Sequence, residues 1–151
     1  MDKKTKDIVA GLIKAYNMEL ETVINYLSNS VMLDGVRAEE IKKALAADIA
    51  AELGHAQRLG SRIKELDGAL PGSQGLNWEQ ESLQPPADTT DVVAVIKGVI
   101  EAEEGAIEHY KKLIKLCDDV DWVTQDLMIQ LLADEEGHRR EFRGFLKEYE
   151  K

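Results

Sequence analysis

Cysteine is almost absent from this sequence. The single Cys117 excludes an internal disulfide and any Cys-x-x-Cys metal or redox motif, and leaves packing as its use. Positive charge is also scarce: 19 Lys and Arg stand against 29 Asp and Glu, giving a formal net charge of -10. That balance repels phosphate backbones and anionic lipid surfaces, so no nucleic acid and no membrane is expected as a partner, and cations are the favoured ligands. Long apolar runs are missing as well. The opening MDKKTKDIVAGLI lacks the apolar stretch of a secretion signal, and no later segment approaches a membrane span, which predicts a cytoplasmic protein. Alternating β-branched runs between Gly-rich turns are nearly absent, which excludes a sheet-based fold.

What is present is helical periodicity over one uniform stretch of 151 residues, read as a single domain, 1–151, with an all-α fold. A first helix is predicted from Lys4 to Leu33, with Ile8, Leu12, Ala15, Tyr16, Val23, Tyr26 and Leu27 at helical spacing. Asp34-Gly35 supplies a turn, and a second helix follows from Arg37 to Asp67, with Gly68 as its stop. Residues 68–89 contain Pro71, Gly72, Gly75, Pro85 and Pro86 and read as a long connection. A third helix, capped at Thr90-Asp91, runs to Cys117, and a fourth runs from Trp122 to Tyr149 with Leu127, Leu131, Leu132, Phe142, Phe145 and Leu146 inward. Short turns make helices one and two antiparallel, and likewise three and four. The long connection between two and three carries the chain the length of the bundle, the crossover topology of ferritin-like folds.

Two Glu-x-x-His pairs, Glu52/His55 and Glu135/His138, each place a carboxylate and an imidazole on one helix face. Each has an upstream glutamate that interrupts an apolar face. Glu19 lies among Ala15, Tyr16 and Val23, whereas Glu21 shares a polar face with Lys14, Asn17 and Asn25. Glu103 lies among Ile96, Val99, Ala106, Ile107 and Tyr110. The halves repeat: a glutamate, a tyrosine seven residues on (Tyr26, Tyr110), then Glu-x-x-His 33 or 32 residues after that glutamate. An antiparallel hairpin brings Glu19 level with Glu52 and His55 only if it turns near position 36, and Glu103 level with Glu135 and His138 only if it turns near 120. Turn residues stand at both places. Four carboxylates and two imidazoles at one level are the arrangement of a di-iron or di-manganese carboxylate site. Buried carboxylates without a cation would repel one another and carry a large desolvation cost. Oxygen-rich ligation suits iron or manganese, and zinc can occupy the same groups.

These residues resemble the ferritin-like superfamily, and the similarity to bacterioferritin spans nearly the whole chain. Asp126-Leu-Met-Ile-Gln-Leu-Leu-Ala-Asp-Glu-Glu-Gly-His138 looks particularly like the corresponding bacterioferritin stretch. The resemblance implies that Glu52 and Glu135 bridge two iron ions, that Glu19 and Glu103 are terminal carboxylates, and that His55 and His138 each bind one iron. It matches Tyr26 to a family tyrosine beside the site, a candidate catalytic residue, and leaves Tyr110 as core. Asp134 resembles the aspartate that accepts from the histidine across the bundle, here His55. Its counterpart before Glu52 is Ala51, so His138 needs another acceptor, water or backbone, and Asp48, one turn before Glu52, reads as a solvated acid or, alternatively, as a guide for incoming iron.

Leu53 stands where bacterioferritin carries its haem-ligand methionine, so no haem is predicted. Ala106 and the lone cysteine depart from the rubrerythrin pattern. The sequence runs 13 residues past His138, enough to complete helix four without a fifth helix, which points to a homo-oligomer that is a dimer or twelve-subunit cage as readily as a 24-mer. The expected activity is a ferroxidase, oxidising Fe(II) with dioxygen or hydrogen peroxide for iron storage or detoxification. A non-storing di-iron or di-manganese oxidase or peroxidase, or a metal-buffering protein, would use the same ligands. His109, flanking the lysines of helix three, reads as surface.

Overall fold

The computed structural model describes residues Met1 to Lys151. Four helices carry the fold: α1 (Lys3–Met32), α2 (Glu39–Glu65), α3 (Val92–Cys117) and α4 (Trp122–Leu146). Short 3-10 turns at Val36–Ala38, Ser73–Gly75 and Lys147–Tyr149 occupy the margins. Three helices start on an aspartate whose side chain accepts an otherwise unsatisfied N–H of the first turn. Asp2 takes that of Thr5, Asp91 that of Ala94 and Asp121 that of Thr124. Helix α2 has no side-chain cap and is entered through the 3-10 turn instead. Gly35 turns the chain between α1 and α2 at φ 97°, a conformation open to glycine at little steric cost.

The α2 terminus departs from expectation. Asp67, not Gly68, takes the left-handed conformation (φ 62°), and Gly68 then donates its N–H to Ile63 O at 2.9 Å. Gly68 is required by space: a Cβ there would lie 2.8 Å from Val9 Cγ1. Helix four is also shorter than its periodicity suggests, giving way to a 3-10 turn after Leu146.

Helix α1 packs along α2 and α3 along α4, and α1 closes against α3. The crossover joins α2 to α3, which makes an all-α four-helix bundle with one long connection. It lies on α1. Asn17, Glu21, Asn25 and Asn29, four residues apart, all bond it: Asn17 to Asn77, Glu21 to the N–H groups of Glu79 and Gln80, Asn25 to Gln80, and Asn29 to Leu83 O. The polar face of α1 that carries Asn17, Glu21 and Asn25 is therefore covered by the crossover, and Glu21 is buried. Leu27, expected inside, is exposed instead, in line with Ile24 and Val31. No helix is long and apolar enough to cross a membrane.

The core has two apolar layers. One gathers Ile8, Leu12, Leu59, Ile63, Leu113, Cys117, Met128 and Leu131; the other gathers Leu33, Ile41, Leu45, Leu83, Ile96, Val99 and Phe142. Met128 is a core residue that the reading of α4 left out. Cys117 is fully buried in the first layer, where burial pushes its thiol up to about 11, as befits a packing residue. Between the layers lies a belt of buried polar groups.

Candidate metal centre

Each helix sends residues of the belt inward from its middle, where the heptad of apolar positions would otherwise place another Leu or Ile. Glu19 comes from α1, Glu52 and His55 from α2, Glu103 from α3, and Glu135 and His138 from α4. The structure brings all six expected residues to one place. The four glutamates are each at most 2% exposed, His55 is 3% exposed, and His138 is partly exposed.

Their donor atoms form two overlapping groups, each with all atoms within 4.8 Å of one another: Glu19, Glu52, His55 and Glu135; and Glu52, Glu103, Glu135 and His138. Glu52 and Glu135 belong to both. His55 Nδ1 lies 3.0 Å from Glu135 and 3.5 Å from Glu19, while His138 Nδ1 lies 3.1 Å from Glu52 and 4.0 Å from Glu103. The imidazole rings are nearly parallel, 6.4 Å apart.

Tyr26 donates its hydroxyl to Glu103 Oε1, and Tyr110 donates to Glu19 Oε1. Each tyrosine thus reaches across to the glutamate of the other half, so Tyr110 mirrors Tyr26 and does more than fill the core. Burial first, and then the charge of Glu103 on Tyr26 and of Glu52 and Glu103 on Tyr110, raise both phenols well above their usual range, which keeps them protonated donors.

Outside the six, the halves differ. His55 Nε2 bonds Asp134 Oδ2 at 2.9 Å, as the resemblance implied. His138 Nε2 has Asp48 Oδ1 at 3.7 Å, beyond hydrogen-bond range, in place of the absent partner at Ala51. Asp48 is only 8% exposed, which corrects its reading as a solvated acid. Burial pushes it up to about 6, partly opposed by His138. His109 is also corrected: it is half-buried, and its Nε2 donates to Gly11 O at 2.8 Å, tying α3 to α1.

The electrostatics of the belt are those of anions seeking a countercharge. Glu103 is pushed up to about 8, first by burial and then by the charge on Glu52. Burial opposes charge on His138, but the Glu52 carboxylate 3.1 Å from its Nδ1 and the charges of Glu103 and Asp48 prevail and raise it to about 9. Eight buried side-chain atoms lack a hydrogen-bond partner, and six of them are one each from the candidate ligands: Glu19 Oε2, Glu52 Oε1, His55 Nδ1, Glu103 Oε2, Glu135 Oε1 and His138 Nδ1. Orphaned buried acceptors are costly, and their convergence fits a pair of cations. Two divalent ions would neutralise four carboxylates. The cluster therefore has the composition and geometry of a dimetal site.

Comparison with known proteins agrees. Residues 9–151 match the ferritin-like domain family. A bacterioferritin of Desulfovibrio desulfuricans is 29% identical over 139 residues, spanning 91% of this chain and 72% of that protein. Among solved structures, a ferritin-like diiron-carboxylate protein from Bacillus anthracis superposes with a TM-score of 0.85 at 22% identity, covering 97% of this chain and 99% of that one. A dodecameric thioferritin, the bacterioferritin-related protein of Bacteroides fragilis, gives 0.86 at 23% identity, covering 99% and 88%. With its bundle, its crossover and the match running from the first helix to the last residue, this chain belongs to the ferritin-like domain family.

Proposed function

We propose that the protein is a ferroxidase that binds two Fe(II) ions per chain as substrate and oxidises them with dioxygen or hydrogen peroxide. The observation that carries this reading is the convergence of one orphaned donor atom from each of the six residues. Manganese or zinc would fit the same groups, but the hard, oxygen-rich set is suited to iron. Glu52 and Glu135, members of both groups, are assigned to span the two positions, with Glu19 and His55 completing one and Glu103 and His138 the other.

The protein's own part is positioning. Tyr110 and Tyr26 hold one oxygen of Glu19 and Glu103 and leave the other free. Asp134 holds the proton on His55 Nε2 and so turns the Nδ1 lone pair inward. Loading displaces the protons that His138 and Glu103 hold in the metal-free state. In the reaction each Fe(II) gives up one electron. Dioxygen takes the two electrons and two protons to give hydrogen peroxide; peroxide takes two of each to give two waters. Exposed Ile24, Leu27 and Val31 on α1 and Leu53 on α2 support self-association of the chain into a dimer or a larger cage.

Anaerobic Fe(II) titration of metal-free protein, followed by oxygen, tests the reading. Two Fe(II) bound per chain, prompt oxygen uptake and continued loading are expected. Glu19→Ala and Glu135→Ala are expected to abolish uptake while keeping the helical circular dichroism. Unchanged oxidation in either variant would defeat the site assignment. Two retained irons with no further loading would make the protein a non-storing oxidase, and binding without oxygen uptake would make it a metal buffer.

A further inference from the structure

Two spaces beside the site share a wall. The inner one is a cavity of about 10 Å³ lined by Glu19, Glu52, Glu103 and Glu135. The outer one is a surface hollow of about 830 Å³ between α1, α3 and the crossover. Met18, Gln80 and Ala102 line both, so these three side chains are the partition between solvent and the site. Ala102 contributes only a methyl group, which leaves closure to Met18 and Gln80.

Gln80 belongs to the crossover, not to the bundle. Its backbone N–H is fixed by Glu21 at 2.7 Å. Its side-chain amide hangs between Thr22 Oγ1 (3.1 Å) and Asn25 Nδ2 (2.7 Å). Two neutral hydrogen bonds on a half-buried side chain are a tether that rotamer motion can release without disturbing the loop.

The charge around the hollow selects what passes. Glu79, Glu81 and Glu101 are exposed on its lining against the single Lys14, while Glu21 is occupied by two loop N–H groups. Beyond the partition lie Glu19 and Glu103, each with an orphaned Oε2 and at most 2% exposed. The negative potential of the hollow thus concentrates cations at the partition, turns anions away and leaves neutral molecules unsteered.

We infer that this hollow is the route by which a divalent cation reaches the dimetal site, with Gln80 as the gating residue. The inference rests on the metal-binding reading of the site and adds its route. Gln80 also offers a hard amide oxygen to a cation shedding water at the partition.

Stopped-flow mixing of metal-free protein with Co(II) tests this without any oxidation, through the visible absorption of Co(II) on entering a carboxylate and imidazole site. Gln80→Ala is expected to accelerate loading by about fivefold. Gln80→Leu, which keeps the bulk and removes the oxygen, is expected to slow it. The double substitution Glu81→Gln with Glu101→Gln is expected to slow loading by about tenfold at low salt and to flatten its salt dependence. The final amount of bound Co(II) should be the same in all. Unchanged rates in these variants, with Asp48→Asn slow, would overturn the proposal and move the route to the His138 side. A changed final Co(II) content in Gln80→Ala would also overturn it, because Gln80 would then shape the site itself. If the unaltered chain binds no Co(II), the metal reading falls and the route with it.

Discussion

Asp134→Ala separates the two halves of the site, because only one of them has a close outer partner. Asp134 Oδ2 accepts from His55 Nε2 at 2.9 Å, which fixes the ring and enriches the Nδ1 lone pair. Loss of such a partner typically weakens metal binding 10- to 100-fold. The Asp134 side chain is 53% exposed, so water replaces part of what is lost, and the low end of that range applies, about tenfold or ~1.4 kcal/mol. Asp48→Ala acts on the other half, but the 3.7 Å gap between Asp48 and His138 Nε2 means there is no hydrogen bond to lose. Its effect on affinity should stay below about threefold. Competition between protein and a chelator for Zn(II), followed by calorimetry, resolves the two positions. The expected result is one position weakened about tenfold in Asp134→Ala, less in Asp134→Asn, which keeps an acceptor, and both nearly unchanged in Asp48→Ala. Equal affinities in Asp134→Ala and the unaltered protein, or a larger loss from Asp48→Ala, would refute the reasoning.

The tyrosines should behave as a pair: Tyr26→Phe and Tyr110→Phe each strand a buried carboxylate oxygen, costing about 1–3 kcal/mol of metal-free stability and slowing iron oxidation by similar factors. An effect confined to Tyr26→Phe would show that Tyr110 is only core. Metal-free protein should lose stability as pH rises from about 6 to 9. The folded chain holds protons on Glu103 up to about 8 and on His138 up to about 9, above their usual 4.5 and 6.5, so it binds more protons than the unfolded chain throughout that window. Thermal melts across that range check the sign, and saturating Zn(II) should remove or invert the trend. Gly98→Ala should destabilise the bundle by about 1–3 kcal/mol, because its Cβ would lie 2.9 Å from the backbone of buried Leu83. An unchanged melting temperature would mean that the crossover yields at that point.

Helical periodicity, the placement of prolines and glycines and the two turn positions were sufficient for the bundle and its crossover, because they depend on local chemistry and on the period of the apolar face. The six residues of the belt were legible for a related reason. A glutamate on an apolar face is anomalous wherever it occurs, and the Glu-to-Tyr and Glu-x-x-His spacings made the anomaly occur twice. Other features required three dimensions. Whether Tyr110 was core or partner to Glu19 depended on which glutamate its hydroxyl reached, and the answer lay 91 residues away. Asp48 looked solvated because its own helix shows only its neighbours in sequence; its burial comes from packing against other helices. The shared polar face of Asn17, Glu21 and Asn25 was visible, but a polar stripe looks the same whether water or a loop satisfies it. Only the path of the crossover made it a docking strip and placed Gln80 beside the site. Sequence by itself determined which faces are apolar and where charge interrupts them. Tertiary structure decided which buried groups meet, because hydrogen bonds and charge pairs between distant segments depend on distances that no local pattern contains.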